Sequence, residues 1–145
     1  MKRYTEEEIK GVFNQLINDS HETAVKKGWW DCPDADALEE EGIVFFGTPF
    51  EDKLKEIIYK LREQNKGEKI ALMHSEISEA LEALRMGNPP DDKCPEFDGC
   101  TVELSDGIVR IFDFCGKYKF NLADALLAKM KMNSGRSHKH GGKEF

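Results

Sequence analysis

The sequence predicts an all-α fold, a bundle of four to five helices that we expect to be completed by oligomerisation. Apolar residues recur at three- and four-residue offsets in successive stretches of the chain, which is the period of an amphipathic helix. Segments that contain glycine or proline separate those stretches. With 145 residues, the chain is long enough to form a single domain over 1–145, with a basic tail at 136–145.

The first helix is predicted over about 6–26. Thr5 and Glu8 have the spacing of a capping box, in which each residue's side chain bonds the backbone of the other. Gly28 ends the helix. The following stretch, 29–49, contains prolines, glycines and an acidic run but no sustained helical period, so we expect a long ordered loop. The apolar face of the first helix comprises Ile9, Val12, Phe13, Leu16 and Ile17.

Two further helices are predicted over 50–64 and 68–86, with Gly67 between them. The first has Leu54, Ile57, Ile58 and Leu61 at helical offsets. The second is ended by the turn sequence 87–90. We expect it to bury one apolar stripe, made of Ile70, Met73, Ile77, Ala80 or Leu81, and Leu84.

The segment 102–115 is rich in strand-forming residues, and Gly107 weakens a helix. A strand would place Glu103 and Asp106 on opposite faces, whereas a helix brings them together in a polar row. We therefore predict a helix, followed by a last helix over 122–133 with Asn121 as its N-cap. The apolar row comprises Leu104, Ile108, Ile111 and Cys115, and the polar row comprises Glu103, Asp106, Arg110 and Asp113.

The net charge of -7 argues against a protein that binds nucleic-acid polymers or anionic membranes, since both attract positive charge. No apolar run resembles a signal peptide or a membrane span, so we expect a cytoplasmic protein. The four cysteines lack zinc-site spacing, and reduced thiols are expected.

Two acidic pairs at three-residue offsets stand among apolar residues, Glu76 with Glu79 and Glu103 with Asp106. A helical wheel places the first pair on a flank that should face another helix, whereas Glu82 lies on the solvated flank. With the two helices antiparallel, the pairs would lie opposite each other, and four like charges would repel unless a cation neutralised them. Hard oxygen ligands of this kind suit Mg²⁺ or Mn²⁺.

Each acidic pair taken alone is also typical of a solvated helix face. The presence of two pairs beside apolar stripes favours the metal site. A di-iron carboxylate bundle is the nearest rival, but it requires a Glu-x-x-His sequence on two helices, and neither pair ends in histidine.

A cationic group follows near the C-terminus. Lys129, Asn133 and Arg136 share one helix face, and Lys139 in the tail adds a further donor. Such an array suits phosphate binding. The residues alone equally allow a cationic helix end that only complements the helix dipole.

Taken together, these motifs resemble the MazG-like superfamily of all-α nucleotide pyrophosphohydrolases, which includes dimeric dUTPases and dCTP pyrophosphatases. The resemblance covers most of the chain and lies in the order and spacing of three sequences. They are Glu76-Ile77-Ser78-Glu79, Glu103-Leu104-Ser105-Asp106, and Lys129-x-x-x-Asn133-x-x-Arg136 followed by His140-Gly141-Gly142-Lys143.

The resemblance implies hydrolysis of a nucleoside triphosphate between its α and β phosphates, with Mg²⁺ as cofactor, by a homodimer or homotetramer. The chemistry of the residues agrees, because metal ions held by the four acids would align a bound water for attack, and one carboxylate, which we expect to be Glu79, would take its proton. The outer phosphates would then be bound by Lys129, Asn133, Arg136 and Lys139.

Some members of the superfamily read the base with a histidine and a tryptophan, which His21 and Trp30 match in spacing. Trp30 is equally suited to packing the loop against the bundle, and His21 is better suited to a surface position on the helix. The segments 31–49 and 88–100 depart from the compact family pattern and leave the substrate open. A non-catalytic helical module that binds nucleotide or a partner protein remains the alternative function.

Overall fold

The computed structural model describes residues 3–63 and 66–136, apart from the side chains of 43 and 44. Within these ranges the chain forms α-helices, one 3₁₀ helix and a single isolated β-bridge, without any strand. This confirms the all-α prediction. The helices are α1 (Glu6–Lys26), α2 (Pro33–Glu41), α3 (Glu51–Glu63), α4 (Lys66–Arg85), α5 (Gly99–Tyr118) and α6 (Leu122–Ser134), and the 3₁₀ helix is Gly42–Phe45.

The predicted helix starts are confirmed where side chains cap them. Thr5 Oγ1 accepts a hydrogen bond from the Glu8 backbone N–H at 3.2 Å, and Glu8 Oε2 accepts one from the Thr5 N–H at 2.7 Å. At α6, the Asn121 side chain accepts a bond from the Asp124 N–H at 3.4 Å. These bonds satisfy backbone donors that have no partner within the helix.

The prediction of one long loop over 29–49 was wrong, because α2 and the 3₁₀ helix lie within it. Pro33 occupies the start of α2, where its fixed φ suits a helix and its missing N–H costs nothing. Arg62 of α3 bonds Asp36 at 2.8 Å and Glu39 at 2.5 Å on α2. A nine-residue helix held by such contacts is too short to reveal itself by period alone.

Two boundaries also differ from the prediction. Gly67 does not separate α3 from α4, because α4 already begins at Lys66. Glycine is tolerated there, since the first turn of a helix has few intrahelical bonds to weaken. The helix α5 begins at Gly99, where Asp98 accepts a hydrogen bond from the Thr101 N–H at 3.0 Å.

The segment between α4 and α5 is closed at its base by a clamp of hydrogen bonds. Asn88 donates from Nδ2 to Asp98 Oδ1 at 2.8 Å and accepts from the Cys100 N–H at 2.9 Å. The Gly99 N–H donates to the Pro89 carbonyl at 2.9 Å. Asn88 adopts a left-handed φ of 52°, which asparagine tolerates better than most residues. The ends of α4 and α5 are thus joined directly, and we call these bonds the interhelix clamp.

The described residues divide into two compact units: a first unit of 3–22 with 112–136, and a second unit of 23–63 with 66–111. In the first unit Ile17, Phe112 and Cys115 form a buried cluster against which Phe13 and Leu122 pack. The rings of Phe13 and Phe112 meet edge to face, with centroids 5.8 Å apart. This cluster is the core that joins α1, α5 and α6 in that unit.

In the second unit the predicted buried stripe of α4 was wrong for most of its members. Ala80 is buried and Met73 is half-buried, but the larger apolar side chains are exposed. The apolar row of α5 is likewise exposed apart from Cys115, which belongs to the first unit. Helical period identifies the apolar side of a helix but not what covers it. The exposed members are Ile70, Ile77, Leu81, Leu84, Leu104, Ile108 and Ile111.

Across the described residues, no helix is both long enough and apolar enough to span a lipid bilayer.

Candidate metal site

The site lies where α4 and α5 run side by side in the second unit. A Cβ atom built on Gly99 would lie 3.3 Å from the Ala83 Cβ, and one built on Gly107 would lie 3.6 Å from the Glu76 Cβ. Gly99, at the start of α5, thus lies next to Ala83 near the end of α4, and Gly107 lies next to the earlier residue Glu76. The two helices are therefore antiparallel. This arrangement brings the acidic pairs of the two helices to the same level.

Three carboxylates converge between these helices. Glu76, Glu103 and Asp106 each offer one oxygen, and all three oxygens lie within 4.8 Å of one another. Around an octahedral Mg²⁺ ion, adjacent ligand oxygens are about 3 Å apart and opposite ones about 4.2 Å apart, so the three side chains would have to move closer together to bind such an ion. Glu76 is buried, Glu103 half-buried and Asp106 exposed, which leaves one side of the group open to solvent.

The fourth predicted ligand, Glu79, lies outside this group and is exposed. The negative charge of Glu79 nevertheless acts on Glu103. The pKa of Glu103 is raised by burial, then by the negative charge of Glu79 and by the hydrogen bond and charge of Glu76. Excess negative charge at the group is what a bound cation would relieve.

Arg110 is part of the site, although the sequence suggested no role for it. Its Nε donates to Glu76 Oε1 at 2.5 Å, and the Glu76 side chain is only 6% exposed against 38% for Arg110. A signal was present in the sequence, because Arg110 follows Asp106 by four residues and so shares its helix face.

The two residues predicted to read a base have specific partners. In the first unit, His21 Nδ1 lies 2.8 Å from Asp113 Oδ1, and Asp113 is buried. In the second unit, Trp30 is half-buried, and Lys69 Nζ lies 4.4 Å from its ring centroid, a cation–π distance. Lys69 precedes Glu76 by two helical turns on α4.

The predicted phosphate-binding residues belong to the first unit. Lys129 and Asn133 are exposed on α6, and Arg136 is exposed just after it. The Arg136 N–H donates to the Asn133 carbonyl at 3.1 Å, which keeps both residues at the helix end. Lys139 and the rest of the basic tail lie outside the described residues.

The arrangement can bind a hard divalent cation through three carboxylates and leave its open side to an anionic ligand. Comparisons of the chain with protein-family models, with curated proteins and with solved structures found no match.

Proposed function

We propose that this chain is a cytoplasmic Mg²⁺-dependent nucleoside triphosphate pyrophosphohydrolase with a MazG-like helical bundle. It would cleave the bond between the α and β phosphates, giving a nucleoside monophosphate and pyrophosphate, and so remove surplus or non-standard nucleotides. The convergence of Glu76, Glu103 and Asp106 from two antiparallel helices carries this proposal. Two helices presenting acids to each other are also what the family resemblance implies.

The donor set is consistent with Mg²⁺, or with Mn²⁺ as a substitute. When bound, the ion would neutralise phosphate charge and favour ionisation of the attacking water. Glu76, Glu103 and Asp106 would hold it. Glu79, exposed beside the group, would take the proton of the attacking water, for which an accessible carboxylate is required.

Positive and aromatic side chains would bind the rest of the substrate. Lys129, Asn133 and Arg136 would hold the outer phosphates together with Lys139, and their exposure on and after α6 supports this role. Trp30 would stack on the base. His21 would contact the base with its ring held by Asp113, which fixes the ring orientation.

A homodimer or homotetramer would cover the exposed apolar rows of α4 and α5. Burying one such aliphatic side chain is worth about 1.5–3 kcal/mol, so a surface of several favours association. Sedimentation of the full chain measures this, and a monomer at micromolar concentration would contradict it. The same exposed rows support the alternative function, a non-catalytic module that binds nucleotide or a partner protein.

The test is incubation with a panel of ribo- and deoxyribonucleoside triphosphates and Mg²⁺, with separate assays for monophosphate, pyrophosphate and orthophosphate. We expect monophosphate and pyrophosphate in equal amounts, and neither product in excess EDTA. Release of orthophosphate would contradict the proposed bond cleavage. No product from any triphosphate would favour the non-catalytic alternative.

A further inference from the structure

The buried member of the acidic group already has a positive partner. Glu76 is taken almost fully out of water, and a carboxylate in that position needs a compensating charge. Arg110 supplies it through a short hydrogen bond from Nε, while much of its own side chain remains exposed. The pair is therefore anchored at the glutamate and open to solvent at the arginine.

One guanidinium does not balance the group. Glu103 and Asp106 bring their carboxylate oxygens within 4.8 Å of Glu76, and Glu79 adds its charge nearby. A divalent cation among these oxygens would lie close to the Arg110 guanidinium, and two positive charges at that distance repel. The long, partly exposed arginine side chain is the one group of the pair that can move away.

We propose that Arg110 is an exchangeable counter-ion, which neutralises Glu76 in the ion-free site and releases it when a divalent cation binds. The inference rests on the metal site of the proposed function. The released guanidinium would lie at the open side of the site, where its planar donors suit a phosphate oxygen. Arg110 thus acts as a positioning residue for Glu76 before the metal arrives.

If Arg110 is an exchangeable counter-ion, its removal should lower the stability of the ion-free protein but raise the affinity for the cation. Removing the arginine leaves a buried carboxylate without its partner, which destabilises the ion-free protein. It also removes a positive charge that repels the cation, which tightens cation binding. A purely structural arginine would give only the first effect, and its loss would weaken the site rather than tighten it.

The experiment compares Arg110→Met and Arg110→Lys with wild type, using Mn²⁺ alone as the probe. We expect Arg110→Met to lower Tm by about 5 °C or more in EDTA and to bind Mn²⁺ roughly tenfold more tightly by EPR titration. Arg110→Lys keeps the charge and should bind Mn²⁺ within about twofold of wild type. The control Arg62→Met removes an exposed arginine that bonds Asp36 and Glu39, and it should change neither Mn²⁺ affinity nor its effect on Tm.

A second measurement uses the wild-type protein and does not depend on whether the variants fold. The Nε–H resonances of Arg110 and Arg62 are followed by ¹⁵N–¹H NMR while Mg²⁺ is added. We expect the Arg110 signal to shift or to exchange faster with solvent at saturation, while the Arg62 signal stays constant. An unchanged Arg110 signal, or weaker Mn²⁺ binding by Arg110→Met, would overturn the exchange.

These outcomes separate from those of the nucleotide assay. Tighter Mn²⁺ binding by Arg110→Met in a protein that hydrolyses no triphosphate would keep the counter-ion role and reject the enzyme. Hydrolysis of a triphosphate together with an Arg110 signal that Mg²⁺ does not change would keep the enzyme and reject the counter-ion role. Absence of Mn²⁺ binding by wild type would overturn the inference together with the metal site.

Discussion

Each unit contains a buried carboxylate, and the two have opposite surroundings. Asp113 of the first unit follows Phe112 of the apolar cluster on α5 and lies 2.8 Å from His21. Glu76 of the second unit pairs with Arg110 but has two other carboxylates within 4.8 Å. Burial of an acid is therefore not itself a sign of a ligand site. The accumulation of further like charges is what distinguishes Glu76.

The largest expected effect concerns catalysis at the crowded carboxylates. Asp106→Asn should lower turnover by at least on the order of a hundredfold while the fold stays intact, because Asp106 is exposed and its loss removes metal charge rather than core volume. Steady-state kinetics with circular dichroism measures both, and Glu79→Gln should behave alike. Exposed Glu82→Gln serves as the control and should have near-normal turnover. A folded Asp106→Asn protein with normal turnover would show that the carboxylates around Glu76 do not hold a catalytic metal.

The next largest effects concern stability and differ between two glycines of α5, one in each unit. A Cβ on Gly116, in the first unit, would lie 2.5 Å from the His21 Cβ and 3.1 Å from the Ile17 carbonyl oxygen, so Gly116→Ala should cost about 1–3 kcal/mol. A Cβ on Gly107, in the second unit, meets only ordinary contacts, so Gly107→Ala should gain about 0.5–1 kcal/mol from helix propensity. Urea unfolding of the two variants measures both signs. Equal losses of stability would mean that α4 leaves less room for a Cβ at Gly107 than the 3.6 Å distance to the Glu76 Cβ indicates.

Removing Asp113 should affect the stability of the protein. Asp113→Ala removes the carboxylate that lies 2.8 Å from His21 Nδ1, and we expect a loss of about 2 kcal/mol in the free energy of unfolding. Asp113→Asn retains an acceptor oxygen and should lose less. Chemical denaturation with and without Mg²⁺ tests this. A loss that Mg²⁺ reverses would place Asp113 with the metal site instead of the core.

The smallest effect is the pH dependence at Glu103. Its pKa is raised chiefly by burial, so the folded protein holds this proton more tightly than the unfolded chain does. Its contribution to stability is thus fully present below the unfolded pKa and is lost as pH rises through the raised folded pKa. In EDTA, wild type should lose more stability across that window than Glu103→Gln, as melting temperatures measured at a series of pH values would show. Parallel pH profiles would contradict the raised pKa of Glu103.

The five longer helices were predictable because each carries its own local evidence. Capping residues such as Thr5 and Asn121 and the apolar period of each helix lie within a few turns of one another. The short α2 was missed because part of its support comes from Arg62, 26 residues from Asp36 in the sequence. A local sequence pattern does not indicate contacts between residues that are far apart in the chain.

The candidate site was predictable in part for the same reason. The spacing within each acidic pair puts both acids on one helix face, which led to Glu76, Glu103 and Asp106 together. The pairings of Arg110 with Glu76 and of His21 with Asp113 join residues 34 and 92 positions apart. These two pairings depend on which helices pack against each other in the fold. The exposure of the apolar rows of α4 and α5 depends on the same packing.

The interhelix clamp has a consequence for engineering the chain. Because Asn88, Pro89, Asp98 and Gly99 tie the ends of α4 and α5 together, the residues 91–97 form an outer turn whose length need not alter the register of the two helices. That turn is therefore a suitable place to insert a peptide tag or a fluorescent reporter. The acids lie about one to three turns away along α4 and α5 and would keep their mutual spacing, so the insertion would report on the site without entering it.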